Sequence, residues 1–379
     1  MRVHIRKGHR SMYGKASAAI MVGPNRPLQV ETIDLDDPGF GEVVVRLRAS
    51  GVCHSDISFL EGKWPAPLPY ILGHEGAGTI EAVGPGVSSR RVGENVVLTF
   101  VPGCGRCRFC LEGRINLCTE AAWCLDEGTL PDGTTRYRWQ RDTVYFLGQV
   151  GSFSTHAVVP SSVALKVPDE LDPIEGCLLG CGVMTGVAAV TGLANVRPGD
   201  SVAIFGCGGV GLSAIQGARL VGADPIIAVD LLPEKRKMAK QLGATHVVDA
   251  RAVDPIEAIR DLTQGGADFT FEASGNPLVA EQSVLSARTG GTTVLIGQPA
   301  VGKTMQVNVF DVTQFEHYIL GTHIGGATPA IVIPRLARLA LRGLIDLKSL
   351  VTHRLPLSDV NEAIAIAKSG GAGRVVLEL

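Results

Sequence analysis

Cys53 and His74 each sit among glycines and small polar residues, in G-V-C-H-S-D (51–56) and G-H-E-G-A-G (73–78), where a thiol and an imidazole are available as metal donors. A reactive zinc site needs three protein donors and a position left for water or substrate, so this pair requires a third. Cys181, in G-C-L-L-G-C-G (176–182), is the best candidate, with Cys177 competing from the same run. Spacing leaves that trio open, because a lone Cys or His more often fills an interior. Cys104, Cys107, Cys110 and Cys118 form a self-contained set, C-x2-C-x2-C-x7-C. Such spacing lets one loop wrap a metal in four thiolates with no open position, which predicts a structural zinc in a lobe over 103–118. An iron–sulfur cluster draws on the same residue type.

A third motif is G-C-G-G-V-G (206–211), with Gly206, Gly208 and Gly211 in the G-x-G-x-x-G positions and Gly209 and Val210 between them. It follows the apolar run S-V-A-I-F and opens an apolar-periodic helix, the context in which glycines let a pyrophosphate approach a helix N-terminus. Asp230 ends the next strand and can accept from ribose hydroxyls, whereas a 2'-phosphate would meet like charge. NAD is therefore expected rather than NADP, and Arg236 lies too far along the following helix to reverse that.

These motifs need two kinds of scaffold. Residues 16 to 100 read as short strands between turn signals, an all-β pattern suited to a partly closed barrel, and residues 103–150 as a loop-rich excursion. From 183 to 325 strands and helices alternate, the signature of a doubly wound parallel sheet. A helix over Pro329–Leu341 and a last strand, R-V-V-L-E-L, return to the first domain. The expected division is 1–182 and 326–379 for one domain and 183–325 for the other. With 379 residues, 45% hydrophobic and 19% charged, the chain is globular rather than disordered. A formal charge of −2 argues against nucleic acid or an acidic membrane as partner and favours a small neutral ligand. The 47 glycines and 21 prolines fit turn-rich β structure beside a nucleotide fold. The basic start (Arg2, Arg6, Lys7, Arg10, Lys15) precedes too short an apolar run for a secretory signal and reads as a solvated tail. Clustered cysteines without an export signal point to thiolates in a reducing cytoplasm.

Taken in order, G-V-C-H-S-D, G-H-E-G-A-G, the four-cysteine lobe, G-C-G-V-M-T-G (180–186), the nucleotide loop with Asp230 and the closing R-V-V-L-E-L resemble the zinc-dependent medium-chain alcohol dehydrogenases. The resemblance implies a GroES-like β domain built from both chain ends, an inserted Rossmann domain and a cleft between them. It implies Cys53, His74 and Cys181 as catalytic zinc ligands, Glu75 as a nearby carboxylate able to approach the metal, Asp56 as the acid that orients the ligand histidine, and Ser55 as the hydroxyl that takes the alcohol proton. It also implies His54 and Arg374 near the cofactor pyrophosphate, Lys235 near the adenosine ribose, and Thr185 and Val210 against the nicotinamide. Zinc would favour ionisation of the alcohol, with hydride passing between its carbon and NAD. Two zincs per chain are implied.

The branch most similar contains glutathione-dependent formaldehyde dehydrogenase, through Cys53-His54, Asn116-Leu117-Cys118 and L-P-D-G-T (130–134). That branch grips its adduct with an acid and an arginine where this chain has Trp64 and Ala122. Liver-type members complete the proton relay with a histidine where this chain has Ser58. An apolar substrate pocket lined by Trp64, Phe100 and Trp123 is expected, although Trp64 equally suits core packing. The expected reaction is NAD-dependent interconversion of a primary, medium-sized or aromatic alcohol with its aldehyde. Oxidation of a formaldehyde–thiol adduct is the alternative, and a non-catalytic NAD(H)-binding protein a third reading. The segment from Cys118 to Gly151 resembles the loop of dimeric members, so a homodimer is expected. Cys124, Cys177 and Cys207 read as free thiols, and His156, His246, His317, His323 and His353 as unremarkable surface or interior residues.

Overall fold

Apolar runs broken by glycine and proline turn residues 12–166 into short strands: β1 (Met12–Met21), β2 (Gln29–Asp36), β3 (Glu42–Val52), β4 (Tyr70–Ile71), β5 (Glu75–Val83), β6 (Asn95–Leu98), β7 (Tyr137–Trp139), β8 (Asp142–Thr143), β9 (Tyr145–Phe146), β10 (His156–Pro160) and β11 (Ala164–Lys166). Helices α1 (His54–Leu60), α2 (Arg108–Leu111) and α3 (Thr119–Glu127) interrupt them. This computed structural model describes residues 12–379, the side chains of 123–126 excepted. The basic residues Arg2, Arg6, Lys7 and Arg10, and the side chains of Trp123 and Cys124, lie outside the described residues. The excursion over 103–150 is more ordered than its sequence suggests. It carries the nine-residue α3 as well as α2 and the strands β7 to β9, which at four residues or fewer are too short for a periodic signal to emerge.

Helices α4 (Pro173–Gly176) and α5 (Gly182–Ala188) lead into the alternating region: β12 (Val202–Phe205), α6 (Gly209–Val221), β13 (Ile226–Asp230), α7 (Pro233–Leu242), β14 (His246–Asp249), α8 (Pro255–Thr263), β15 (Ala267–Glu272), α9 (Pro277–Leu285), β16 (Ala287–Leu295), α10 (Val309–Gln314) and β17 (Tyr318–Gly321). Its six strands form a parallel sheet in the order β14-β13-β12-β15-β16-β17. The order reverses beside β12, so the loop after β12 opens at a topological switch point. The tail adds α11 (Pro329–Leu341), β18 (Val351–Pro356), α12 (Val360–Lys368) and β19 (Arg374–Glu378).

The remaining strands form two sheets, β8-β7-β2-β1-β4-β9 and β11-β6-β5-β3-β19-β18, with β10 also paired to β3. The chain's last strand thus lies beside β3, Val375 opposite Val52, which carries Arg374 to the end of β3 where Cys53 begins α1. One core cluster joins both halves. It runs from Ala49, Ala77 and Val97 of the antiparallel sheet, through Leu179, Met184 and Val190, to Val202, Ile204 and Ala228 of the parallel one. Each fully buried aliphatic side chain there is worth roughly 1.5–3 kcal/mol relative to exposure, so the segment around 177–190 fixes one cleft wall against the other. That segment lies within the bent pair Pro173–Gly180 and Gly182–Leu193; no single described helix is long and apolar enough to cross a membrane.

Candidate active site

The register of β3 against β5 sets the first two donors. Gly51 faces Glu75 across the pair, and a Cβ on Gly51 would collide with the Glu75 carboxylate, so glycine leaves room for that side chain behind the donors. Cys181 arrives from far along the chain, at the break between a single 3-10 turn over 177–180 and α5. Donor atoms of Cys53, His74, Glu75 and Cys181 lie within 4.8 Å of one another, all four residues buried. The competing Cys177 is committed elsewhere, its thiol donating to the Ile174 carbonyl at 3.3 Å.

Asp56 organises this cluster. Its Oδ2 accepts from the Cys53 N–H at 2.9 Å, while Oδ1 accepts from the Gly73 N–H at 3.0 Å and lies 3.2 Å from His74 Nδ1. One fully buried carboxylate therefore holds the backbone at both donors and fixes the imidazole so that Nε2 is the atom left for a metal. Burial opposes a charge on His74, but the Asp56 carboxylate outweighs it and raises the imidazole pKa. A hydrogen bond from Cys181 holds the Cys53 thiol well below its usual range against its burial, with His74 and Arg374 adding to the effect. Glu75 accepts from the Gly182 N–H at 3.2 Å and pairs with the buried Arg374 guanidinium. Burial pushes the Glu75 carboxyl up to about 7, the neighbouring Arg374 pulling the other way.

Two soft thiolates, a neutral imidazole and a carboxylate within reach are a donor set that suits zinc with a position to spare. The four-cysteine lobe fits a closed zinc site equally well. Its Sγ atoms lie 3.9 Å apart for Cys104–Cys110 and 3.8 Å for Cys107–Cys118. Thiolates about 2.3 Å from a common tetrahedral centre would be about 3.8 Å apart.

A cavity of about 650 Å³ extends from this cluster along the carboxyl ends of the parallel strands. Cys53, His74 and Cys181 line it, together with His54, Ser55, Thr185, Gly206, Gly208, Gly209, Val210, Asp230, Lys235 and Arg374. Asp56, Glu75 and Gly211 do not line it: the first two act from behind the donors, and Gly211 packs on the loop, where a Cβ would collide with the Gly206 carbonyl. Helix α6 starts at Gly209, and no side chain caps its first turn by a hydrogen bond, leaving N–H groups for a phosphate. Arg374 packs against Gly209, 2.6 Å from where a Cβ would stand, and so reaches both Glu75 and the phosphate end. Asp230 accepts from the Cys207 N–H at 2.7 Å and the Leu232 N–H at 2.9 Å, which fixes its carboxylate at the end of β13. Arg236 is occupied by the Asp230 carbonyl at 2.9 Å and Asp249 at 2.7 Å. Lys235 is buried, its ammonium on the Ala372 carbonyl, and burial lowers its pKa.

On the other side of the donor cluster, Trp64 meets Phe59 edge-on at 5.3 Å, and Phe100 meets His74 edge-on at 4.9 Å. Ser58 is buried and lines the same cavity. Four further lining residues carried no motif: Arg251, Ser274, Gln298 and His323. All follow the carboxyl ends of β14 to β17, which is where an open parallel sheet binds ligands; that rule was the available signal. His323 in particular is a cavity residue rather than an unremarkable one.

The family model described as zinc-binding dehydrogenase matches residues 209–340, and that described as alcohol dehydrogenase GroES-like domain matches residues 39–169. The chain is 38% identical to an S-(hydroxymethyl)glutathione dehydrogenase of Haemophilus influenzae, over 96% of this chain and 97% of the relative. One from Synechocystis is also 38% identical, over 96% and 99%. Among solved structures, an alcohol dehydrogenase zinc-binding domain protein from Burkholderia ambifaria superposes with a TM-score of 0.92 at 37% identity, covering 96% and 99% of the two chains. A benzyl alcohol dehydrogenase from Acinetobacter calcoaceticus gives 0.92 at 34% identity over the same shares.

Proposed function

The chain belongs to the zinc-binding alcohol dehydrogenase family, an NAD-dependent oxidoreductase with two zincs, and we propose that it interconverts a primary, medium-sized or aromatic alcohol and its aldehyde without a thiol cosubstrate. The observation that carries this reading is the apolar collar around the donor trio: Val52, Ile57, Phe59, Trp64, Phe100 and Leu147. Among the described residues, the Lys and Arg side chains lining the cavity are Lys235, Arg251 and Arg374, all at the Asp230 and Gly209 end. A tripeptide adduct would bring carboxylates to a face that, among the described residues, lines the cavity with no lysine or arginine. Trp64 and Ala122 stand where the formaldehyde branch has its anchors.

Cys53, His74 and Cys181 would hold the catalytic zinc, which supplies a Lewis acid that favours ionisation of an alcohol at neutral pH. Cys104, Cys107, Cys110 and Cys118 would hold the structural one. Ser55, with its Oγ 3.9 Å from Cys53 Sγ and on the cavity wall, takes the hydroxyl proton and passes it outward. Without a histidine at 58, the proton leaves through Ser58, water or the cofactor ribose. Asp56 keeps His74 oriented throughout. Thr185 and Val210 position the nicotinamide, His54 and Arg374 the pyrophosphate, and Asp230 the adenosine ribose. We place the protein in the cytoplasm, where the two thiol sets stay reduced. A homodimer is the proposed assembly, on the length of the segment after Cys118.

The formaldehyde–glutathione reading remains the second, supported by the names of the relatives from Haemophilus influenzae and Synechocystis. NADH absorbance separates the two. Benzyl alcohol should be oxidised at an unchanged rate with or without glutathione. A dependence of turnover on glutathione, with formaldehyde as the best substrate, would replace the first reading by the second.

A further inference from the structure

His323 lies at the carboxyl end of β17, on the substrate side of the cavity, and Phe100 stands between it and the metal-donor trio. The Phe100 ring meets His74 at 4.9 Å and His323 at 6.0 Å, edge-on to both. Two hydrogen bonds hold His323 to the four-cysteine lobe. Its Nδ1 lies 3.2 Å from the Asn116 carbonyl oxygen, and Asn116 Nδ2 donates to the His323 carbonyl at 3.3 Å. A third tie, Thr328 Oγ1 donating to the Gly113 carbonyl at 2.6 Å, fixes the same two segments together. A carbonyl oxygen only accepts, so Nδ1 must carry the proton, and the neutral ring then presents Nε2 as an acceptor. Among the described residues nothing is bonded to Nε2. The ring is thus held in position and in tautomer, with its second nitrogen uncommitted, on the cavity wall beyond Phe100.

We propose that His323 is a specificity-determining residue: its Nε2 accepts a hydrogen bond from a hydroxyl at the far end of the alcohol substrate, so that hydroxylated aromatic alcohols are preferred over apolar ones of the same size. This rests on the alcohol dehydrogenase reading above and narrows its substrate class. The reasoning is one of satisfaction. A methyl group placed against Nε2 strips its water and returns no donor, whereas a hydroxyl replaces the lost bond. Because the imidazole is half-buried rather than sealed, the discrimination should be modest, about tenfold, rather than the far larger factors of fully enclosed polar sites. It should appear in KM more than in kcat, since the contact is remote from the reacting carbon and is made equally in ground and transition states.

The test compares kcat/KM of the zinc-loaded enzyme with NAD for 3- and 4-hydroxybenzyl alcohol against 3- and 4-methylbenzyl alcohol, pairs matched in size, with benzyl alcohol as reference. At least one hydroxyl isomer should be favoured over its methyl partner by about tenfold. In His323→Leu that ratio should fall to about one; His323→Gln, which restores an acceptor, should recover part of the preference. Absence of any hydroxyl preference in the wild type overturns the proposal, and so does a preference undiminished in His323→Leu. If benzyl alcohol is oxidised and the preference is absent, only the His323 assignment fails. If no alcohol in the panel is oxidised, the aromatic-alcohol reading fails with it.

Discussion

The two metal sites are built on opposite plans. The four-cysteine site takes all its donors from fifteen consecutive residues, 104 to 118, and three of the four are only partly buried. The Cys53–His74–Cys181 site collects donors across more than a hundred residues, all of them buried, and has a carboxylate, Glu75, and a guanidinium, Arg374, packed behind it. A closed site needs only a loop able to wrap its ion. An open one must hold a vacant position against collapse, and here that falls to β3, β5, β19 and the break before α5. The first site is therefore a local staple, while the second depends on the whole fold.

The comparison breaks most sharply at Cys53. Cys53→Ala should abolish alcohol-dependent NADH formation and lower the zinc content from two per chain to one, while circular dichroism and NADH binding persist, because the apolar packing that joins the two halves is untouched. Activity surviving that change would mean the trio is not the reactive centre. Asp56→Asn comes next. It keeps a group of the same size but weakens the hold on His74 and on both backbone N–H groups, and activity or zinc affinity should fall about 10–100-fold, measured by kinetics and chelator competition. Cys107→Ser should act in the other register. The lobe loses its metal and the protein its thermal stability, seen as a lower Tm, while kcat of the folded enzyme stays within about threefold at low temperature. A collapse of kcat with an unchanged Tm would show that the lobe is part of the reactive machinery.

The smallest effect expected is at Glu61, which closes α1 and binds Lys368 at 2.6 Å and Lys63 at 2.7 Å. Lys368 first, then Lys63, hold its carboxyl down at about 2 against an ordinary value of 4.5. A carboxyl depressed in the folded state stabilises fully above its unfolded pKa and loses that contribution as pH falls through the folded one. Glu61→Gln should therefore cost at most about 1 kcal/mol near neutrality, both lysines being half-exposed. In urea titrations the difference from wild type should vanish between pH 4.5 and 2. A difference that persists at the acid end would point to packing rather than charge.

Much of this protein is legible in its sequence because the relevant physics is local. Thiol spacing in 104–118 specifies a closed metal loop, and G-C-G-G-V-G after an apolar run specifies a strand, a tight turn and a helix N-terminus. Pro329–Leu341 reads as the helix it forms, with the same bounds. Where an element is too short for a period to register, as in α2 and β7 to β9, the sequence reads as loop. Which cysteine of the 176–182 run joins the donor cluster was open on spacing; the structure gathers Cys181 with Cys53, His74 and Glu75, while the Cys177 thiol donates to the Ile174 carbonyl. The pairing of β19 with β3 brings Arg374 to Glu75 across 299 residues, a contact that no local pattern encodes. His323 shows the same division. Its side chain is a mere imidazole in the sequence, and only the approach of the cysteine lobe, with the Asn116 carbonyl on Nδ1, sets its tautomer and puts it on the cavity wall. Short-range geometry and residue chemistry are written in the order of the residues. Positions that depend on strand register and on the docking of distant segments exist only once the core has closed.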